Sequence, residues 1–358
     1  MRIGILTWHK ALNHGAILQA YSSQKVLERI SDKVVILDYN RKVVDKRSYS
    51  EKIRHIFHLI TSGEIFIRKK IKSFDKEKRL ILDKFITDEL NTGAVWNKEE
   101  TDAVMIGSDM VFNIKQGYCP YMYGIGVKSK KIFSYAACSG GTVIQTCKSF
   151  GVTDEVRKAL RKFYGISCRD ITTTEFVKEL TGRQDIIENI DPVLLYGFLV
   201  ERKLWNTGKW EKNKYILIYA YHENMNSSEE IREIKKISKK TDCKIVSVGY
   251  FHSWADINVN ADPKEFIELF SNASYVITDT FHGTVFSLIF ERNFVSIIRN
   301  NAFKLEYLLK QCHMENRIAR KNSEIYSKLY NKPQYELYNK WISQERERST
   351  EYLTRMVN

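Results

Sequence analysis

Short apolar runs rich in β-branched residues alternate with stretches of helical period over most of the chain. That alternation predicts an α/β fold of parallel strands joined by crossover helices. The first unit is the clearest: residues 3–7 read as a buried strand, Asn13-His14-Gly15 as a polar turn, 16–30 as an amphipathic helix and 34–39 as the next strand. Residues 50–90 break the rhythm. They are long, basic and helical, with Ile53, Ile56, Phe57 and Ile60 at helix spacing, and predict a helical hairpin or cap inserted in the first domain. Strand-like runs resume at 103–106, 131–136 and 165–167. Thr172, Thr173 and Thr174 are placed to cap the helix that follows, and Asp191-Pro192 with 193–195 closes this half.

Residues 198–213 follow neither period and read as a linker. A second α/β half follows, with strands at 215–221, 244–249, 275–278 and 294–298 and helices at 228–240, 263–272 and 283–291. The expected organisation is an N-terminal domain over 1–197, a C-terminal domain over 213–332 and a terminal helix over 333–358 packing back across the first domain. Two α/β domains on one linker place a ligand cleft between them, at the carboxyl ends of their strands.

Length agrees with two domains, since 358 residues exceed the roughly 250–300 at which a single core stops growing. No run of about 18 apolar residues appears, so no membrane-spanning helix is expected. The first residues lack a signal peptide's long apolar stretch and cleavage site, so the expected location is the cytoplasm. Cys119, Cys138, Cys147, Cys168, Cys243 and Cys312 form no Cys-x-x-Cys pair, and the eight histidines form no His-x-x-x-His pair. Metal chemistry is therefore not expected. The net charge of +14 attracts anions in general. No zinc finger, helix-turn-helix or RNP signature accompanies it, so no nucleic-acid partner is expected. Helical runs such as 68–72 and 235–240 put most of the excess on solvated faces.

The sharpest chemical signal is Thr278-Asp279-Thr280-Phe281-His282-Gly283-Thr284, between a strand and an apolar helix. A strand-to-helix turn aims backbone N–H groups and the helix dipole at one spot, which suits an anion. His282 adds a group that titrates near neutrality, and Gly283 lets a ligand approach the backbone. Helix capping by Asp279 or Thr280 with a packed histidine is the plainer alternative. Arg169, ending a strand in Ser167-Cys168-Arg169-Asp170, has the fork geometry for a carboxylate or phosphate, or pairs locally with Asp170. Gly107-Ser108-Asp109 offers a small turn with a carboxylate for a sugar hydroxyl, or a simple cap. Asn13 and Gly15 open the first helix in a loose phosphate-type turn. The full Gly-x-Gly-x-x-Gly and Walker A patterns are both absent, which argues against dinucleotide and nucleoside-triphosphate sites. Arg299 and Lys304 follow the strand at 294–298 and either adds positive charge to the same mouth or remains a surface cation.

Taken together, these stretches resemble the polysaccharide pyruvyl transferase family. The matching blocks are 3–24, Ile106-Gly107-Ser108-Asp109, Ser134-Tyr135-Ala136-Ala137, Ser167-Cys168-Arg169-Asp170, Asp191-Pro192, Ala261-Asp262-Pro263 and 278–286, in the family's order. Two departures stand out. Met110, Val111 and Phe112 replace the usual Gln-x-Trp, and Asp170 stands where Glu is common. The resemblance implies two Rossmann-like domains facing a cleft, similar to glycosyltransferase-B enzymes, with the acceptor on the first domain and the donor on the second. It implies phosphoenolpyruvate as donor, no cofactor or metal, and a pyruvate ketal on a sugar of a cell-surface polysaccharide as product. By the same analogy Arg169, His282 and Lys304 take the family's basic positions. Arg169 and Lys304 hold the donor's charge, His282 acts as general acid or binds the departing phosphate, and Asp109 activates the acceptor hydroxyl. Gly283, Thr284, Asn13, Gly15 and Ser108 complete the expected binding residues.

Two rival readings use the same fold: a glycosyltransferase with a nucleotide-sugar donor, and a non-catalytic glycan-associated homologue. A lipid-linked oligosaccharide acceptor gives the basic surface a second use, a peripheral contact with anionic membrane through residues 50–90. An insertion that only covers the core is the alternative.

Overall fold

The computed structural model describes residues 1–39, 65–299 and 303–358. Its strands are β1 (Arg2–Leu6), β2 (Lys33–Asp38), β3 (Ala94–Val95), β4 (Thr101–Ile106), β5 (Ser129–Ser134), β6 (Ile166–Cys168) and β7 (Ile186–Glu188) in the first half. The second half contains β8 (Tyr215–Tyr219), β9 (Lys244–Val248), β10 (Ile257–Val259), β11 (Tyr275–Thr278), β12 (Phe294–Ile297) and β13 (Ile318–Ala319). All the pairings are parallel, as continuous apolar runs buried on both faces require. The first sheet runs β3-β2-β1-β4-β5, and bridges Phe133–Gly165 and Ala137–Cys168 set the β6-β7 pair beside β5. The second runs β10-β9-β8-β11-β12-β13. In each half the first strand lies between its second and a later one, so the strand order reverses beside β1 and beside β8. Such reversal points open a crevice at the carboxyl ends of the strands. This is an α/β fold of two Rossmann-like domains in the glycosyltransferase-B manner.

Several local expectations are corrected. The first helix, His14–Leu27, is not amphipathic in its setting, because thirteen of its residues are buried. It is covered by the helices Pro192–Tyr196 and Ile65–Glu89 and, at its start, by Phe266 and His282 of the second domain. Its polar residues bond inward instead, with Thr7 Oγ1 donating to Gln19 Oε1 at 2.8 Å and Gln19 Nε2 to Ser23 Oγ at 2.9 Å. Of the expected 50–90 insertion, residues 50–64 lie outside the described residues; the rest is one helix, Ile65–Glu89. That helix belongs to both domains. Lys78 Nζ donates to Gly249 O at 2.6 Å, Asp75 meets His222 at 3.0 Å, and Asn260 Nδ2 donates to Phe74 O at 2.8 Å.

The 198–213 segment is not a loose connector. It contains a short helix, Glu201–Leu204, and Trp210 is buried with its indole N–H on Glu265. The helix after β6 is capped by Asp170, whose Oδ1 accepts from Thr173 N at 2.8 Å, rather than by a threonine. The terminal helix, Glu336–Val357, lies against the first domain: Tyr352 Oη donates to Ser134 O and Asn189 Nδ2 to Ser349 Oγ. One apolar cluster runs through both halves, from Ile3 and Ile17 to Phe266, Phe286 and Leu353. Shared burial of that kind fixes the two sheets relative to one another.

Candidate functional site

The loops after β1, β4, β8 and β11 meet around a cleft of about 760 Å³ between the two sheets. From the first domain come Trp8, Lys10, Asn13, Asp109 and Met110; from the second come Tyr219, Tyr221, Thr280, Phe281, His282 and Lys304.

The first helix is capped by Asn13, whose Oδ1 accepts from Ala16 N at 3.2 Å. The same side chain crosses the interface, donating to Tyr250 Oη at 3.1 Å. Gly15 lies directly under the His282 ring: a Cβ there would stand 2.4 Å from His282 Cγ and Nδ1. Only a glycine lets the imidazole from the second domain rest on this backbone.

Gly107 has φ 126°, and a side chain there would meet Tyr135 O at 2.3 Å, so the turn after β4 also needs glycine. It delivers Asp109, at φ 63°, into the cleft. Ser108 points the other way. Fully buried, its Oγ donates to Ala136 O at 2.8 Å and lies 3.3 Å from Asp191 Oδ2. It supports the site from behind rather than holding a sugar hydroxyl.

Asp191 organises the centre. Its carboxylate is wholly buried and accepts from Arg169 Nη1 at 2.7 Å and from Val193 N at 3.0 Å. His282 Nε2 stands 3.7 Å away, an ion-pair distance rather than a hydrogen bond. Burial alone would raise the Asp191 carboxyl, but His282, Arg169 and the Val193 N–H outweigh it and hold it well below the usual carboxylate range. The sequence reading did not select Asp191 as a site residue. Its signal was the Asp191-Pro192 pair, which reads equally as a helix start, and Asp191 does cap the helix Pro192–Tyr196.

Arg169 does not pair with Asp170. Its neighbours are Asp191 and, at 3.6 Å, Asp109 Oδ1. Its Nε and Nη2 are buried without a hydrogen-bond partner, as is His282 Nε2. Arg169 also lies outside the main cleft. Its guanidinium rests 4.1 Å over the Phe281 ring and lines a second pocket of about 50 Å³, which Phe281 and Lys304 share with the cleft. Lys304 makes no ion pair among the described residues; its Nζ lies 3.9 Å from Met110 Sδ. Arg299 is occupied, held by Asp279 at 2.7 Å and Glu230 at 2.6 Å.

The helix Phe281–Ile289 begins at Thr280, whose Oγ1 accepts from Gly283 N at 3.0 Å. That leaves the first helical N–H groups, at Phe281 and His282, without intrahelical partners at the cleft wall. Gly283 does not admit a ligand. A Cβ there would strike Thr278 Oγ1 at 2.1 Å, so the glycine serves strand–helix packing. Thr284 is likewise buried, with its hydroxyl on Thr280 O and Ser296 Oγ.

The site thus gathers Arg169, Lys304, His282 and a helix N-terminus at one end of the interface, all of them suited to negative charge. Asp109 lies at the junction with the aromatic residues Trp8, Tyr39 and Tyr221. Those aromatics, which the sequence reading did not select, come from loops whose convergence only the fold creates. Among the described residues no group of three or more His, Cys, Asp or Glu is placed to hold a metal ion, and no helix is long and apolar enough to cross a membrane.

Solved structures resemble the chain over its whole length. S. aureus MnaA in its co-structure with UDP aligns with a TM-score of 0.53 at 11% identity, covering 100% of this chain and 97% of that one. The Neisseria meningitidis UDP-GlcNAc 2-epimerase bound to UDP-GlcNAc gives 0.52 at 10%, covering 100% and 99%. The Methanocaldococcus jannaschii UDP-GlcNAc 2-epimerase in complex with UDP-GlcNAc and UDP gives 0.51 at 13%, covering 99% and 100%. At such identities the likeness is one of fold. A search of curated protein sequences finds no match. The polysaccharide pyruvyl transferase family model matches residues 13–301, which include every residue lining the cleft except Trp8, Lys10, Ala11 and Lys304. With that match over most of its length, the chain belongs to the polysaccharide pyruvyl transferase family and is a transferase of polysaccharide biosynthesis.

Proposed function

We propose that this enzyme transfers the pyruvyl group of phosphoenolpyruvate to two hydroxyls of one sugar unit, forming a pyruvate ketal. The observation that carries this reading is the buried Arg169–Asp191–His282 cluster, with two guanidinium nitrogens unpartnered and Lys304 unpaired beside a helix N-terminus. A small donor bearing both a carboxylate and a phosphate matches that excess of donors.

In the reaction a proton adds to the donor's methylene carbon, making the adjacent carbon electrophilic. A sugar hydroxyl oxygen bonds to that carbon, and its proton passes to a base. The carbon–oxygen bond to phosphate breaks with its electron pair leaving on phosphate, and a second hydroxyl closes the ketal. Of the two hydroxyl protons lost, one balances the new methyl group and the other the released hydrogen phosphate. His282 supplies the proton, with the buried Asp191 carboxylate beside its Nε2 at 3.7 Å. Arg169 and Lys304 hold the donor's charge, which is already in place as the transition state forms. Asp109, the carboxylate that reaches the cleft beside Tyr221, accepts the acceptor's proton. An acceptor on a lipid carrier would set the basic Ile65–Glu89 helix, with Phe66 and Ile67 exposed, toward an anionic surface.

The test is phosphate release from phosphoenolpyruvate with a panel of methyl glycosides, alongside thermal shift with phosphoenolpyruvate and nucleotide-sugars. Release that depends on an acceptor and disappears in His282→Ala supports the reading. A thermal shift with a nucleotide-sugar alone would transfer the chain to the glycosyltransferase alternative.

A further inference from the structure

Arg169 is the side chain best equipped to bind an anion, yet nothing entering the cleft reaches it directly. Its residue is only 7% exposed, and it lines the small inner pocket rather than the cleft. Two residues line both spaces, and one of them is Phe281. Its ring covers the guanidinium at 4.1 Å, and the residue is itself 6% exposed. Lys304 reaches both sides as well, with Nζ 5.8 Å from the same ring.

Two buried Arg169 nitrogens without hydrogen-bond partners, Nε and Nη2, belong to the guanidinium under this ring, and His282 Nε2, also without one, belongs to a residue on the cleft side. Unmet buried donors are rare in folded proteins, and two on one guanidinium mark a place that a ligand completes. With about 50 Å³ against the cleft's 760 Å³, the inner space suits one ionic group and excludes a sugar ring. The acidic neighbours do not fill the gap. Glu188 accepts from Tyr307 Oη, Glu345 pairs with Arg348, and Asp170 Oδ1 caps its helix, although Asp170 Oδ2 is buried without a partner.

We propose that Phe281 is a gate over an inner anion pocket: its ring swings into the cleft to let one phosphate or carboxylate group reach Arg169 and Lys304, with His282 at the cleft side of the opening and the outer cleft left to the acceptor. The displaced ring stays inside the 760 Å³ cleft and becomes part of the wall that the second substrate meets. Binding is then ordered, with the anionic group first. The donor's identity rests on the pyruvyl-transfer reading; the gate itself requires only a small anion.

The experiment measures binding of inorganic phosphate and, separately, of phosphoenolpyruvate by stopped-flow and calorimetry. It compares the wild-type chain with Phe281→Ala, Phe281→Leu and the double variant Phe281→Ala/Arg169→Met, each checked by thermal melting. A closed gate taxes apparent affinity by the fraction of open molecules, so its removal speeds association and tightens binding by about tenfold if a tenth of the molecules are open. Phe281→Leu, which keeps an apolar side chain at the wall, gives a smaller gain, and the double variant loses it. Equal association by folded wild-type, Ala and Leu forms overturns the gate, as does a gain that survives loss of Arg169. The two ideas fail separately. Phosphoenolpyruvate turnover indifferent to residue 281 removes the gate and keeps the donor. Gated phosphate binding with no phosphoenolpyruvate binding keeps the gate and removes the donor.

Discussion

The imidazole of His282 rests on the bare backbone of Gly15, so close that a methyl group there would stand 2.4 Å from the ring. One residue opens the first domain's first helix and the other the second domain's helix after β11. The position of the His282 ring is therefore set by a contact between domains.

Gly15→Ala separates local from tertiary effects. Within a helix, alanine is intrinsically better than glycine by about 0.8–1 kcal/mol, so propensity alone predicts stabilisation. The contact predicts the reverse for function. A ring displaced by about 1 Å costs on the order of 100-fold in turnover. Phosphate-release kinetics with a thermal melt check this: a folded variant at wild-type rate would show that His282 needs no such fit.

Asp191→Asn removes the charge between Arg169 and His282 while keeping the side chain's size. Leaving a buried guanidinium without its carboxylate costs about 3–5 kcal/mol, read from urea unfolding at pH 7. Because the native carboxyl is held below its usual range, its stabilising contribution is complete above the unfolded-state value near 4. It disappears as pH falls toward the native value. The difference between wild type and variant should therefore shrink on acidification, and a constant difference would remove the charge from the explanation.

Three histidines make the native state acid-sensitive well above carboxylate pH. Burial, the largest influence on each, lowers His14 to about 3 and His9 and His252 to about 4. Below about pH 6.5 the unfolded chain takes up protons that the native state refuses, so stability falls as pH falls. Each histidine contributes roughly 1.4 kcal/mol per pH unit until its native value is reached. His14 Nε2 donates to Ala261 O at 2.8 Å across the domain interface, and its ring stacks on Phe266 at 4.7 Å. In His14→Phe the stacking partner remains and the titration disappears. Denaturant melts between pH 7.5 and 5 should show a shallower slope for the variant, whatever its absolute stability.

Lys304 offers the opposite case, a site cation on which the fold does not depend. It forms no ion pair among the described residues, so Lys304→Met should leave the melting temperature unchanged. Loss of one charge-assisted contact raises the Kd for phosphoenolpyruvate roughly tenfold to hundredfold. Calorimetry decides: unchanged affinity would place Lys304 outside the donor site.

Much of this was legible along the chain because it depends on local regularity. Apolar runs such as 3–6 and 275–278 marked the strands, and Thr280 with its apolar helix marked a strand-to-helix turn beside His282. Edge strands β3, β10 and β13 were not legible, since two or three residues are too few to show a period. The reading of Gly283 failed for a related reason. Glycine reports that something approaches closely, but only the coordinates show that the neighbour is Thr278 rather than a ligand.

By itself the sequence determined the α/β class, the two halves and the turns that present Asp109, Arg169 and His282, because hydrogen-bonding periodicity and turn chemistry act between near neighbours. Tertiary structure decided what those residues do to one another. It buried the polar face of the His14–Leu27 helix, brought Asp191 between Arg169 and His282, and set Phe281 over the guanidinium. These relationships join residues 15 and 282 or 169 and 281, and no local pattern records distances between segments that meet only when both sheets share one core.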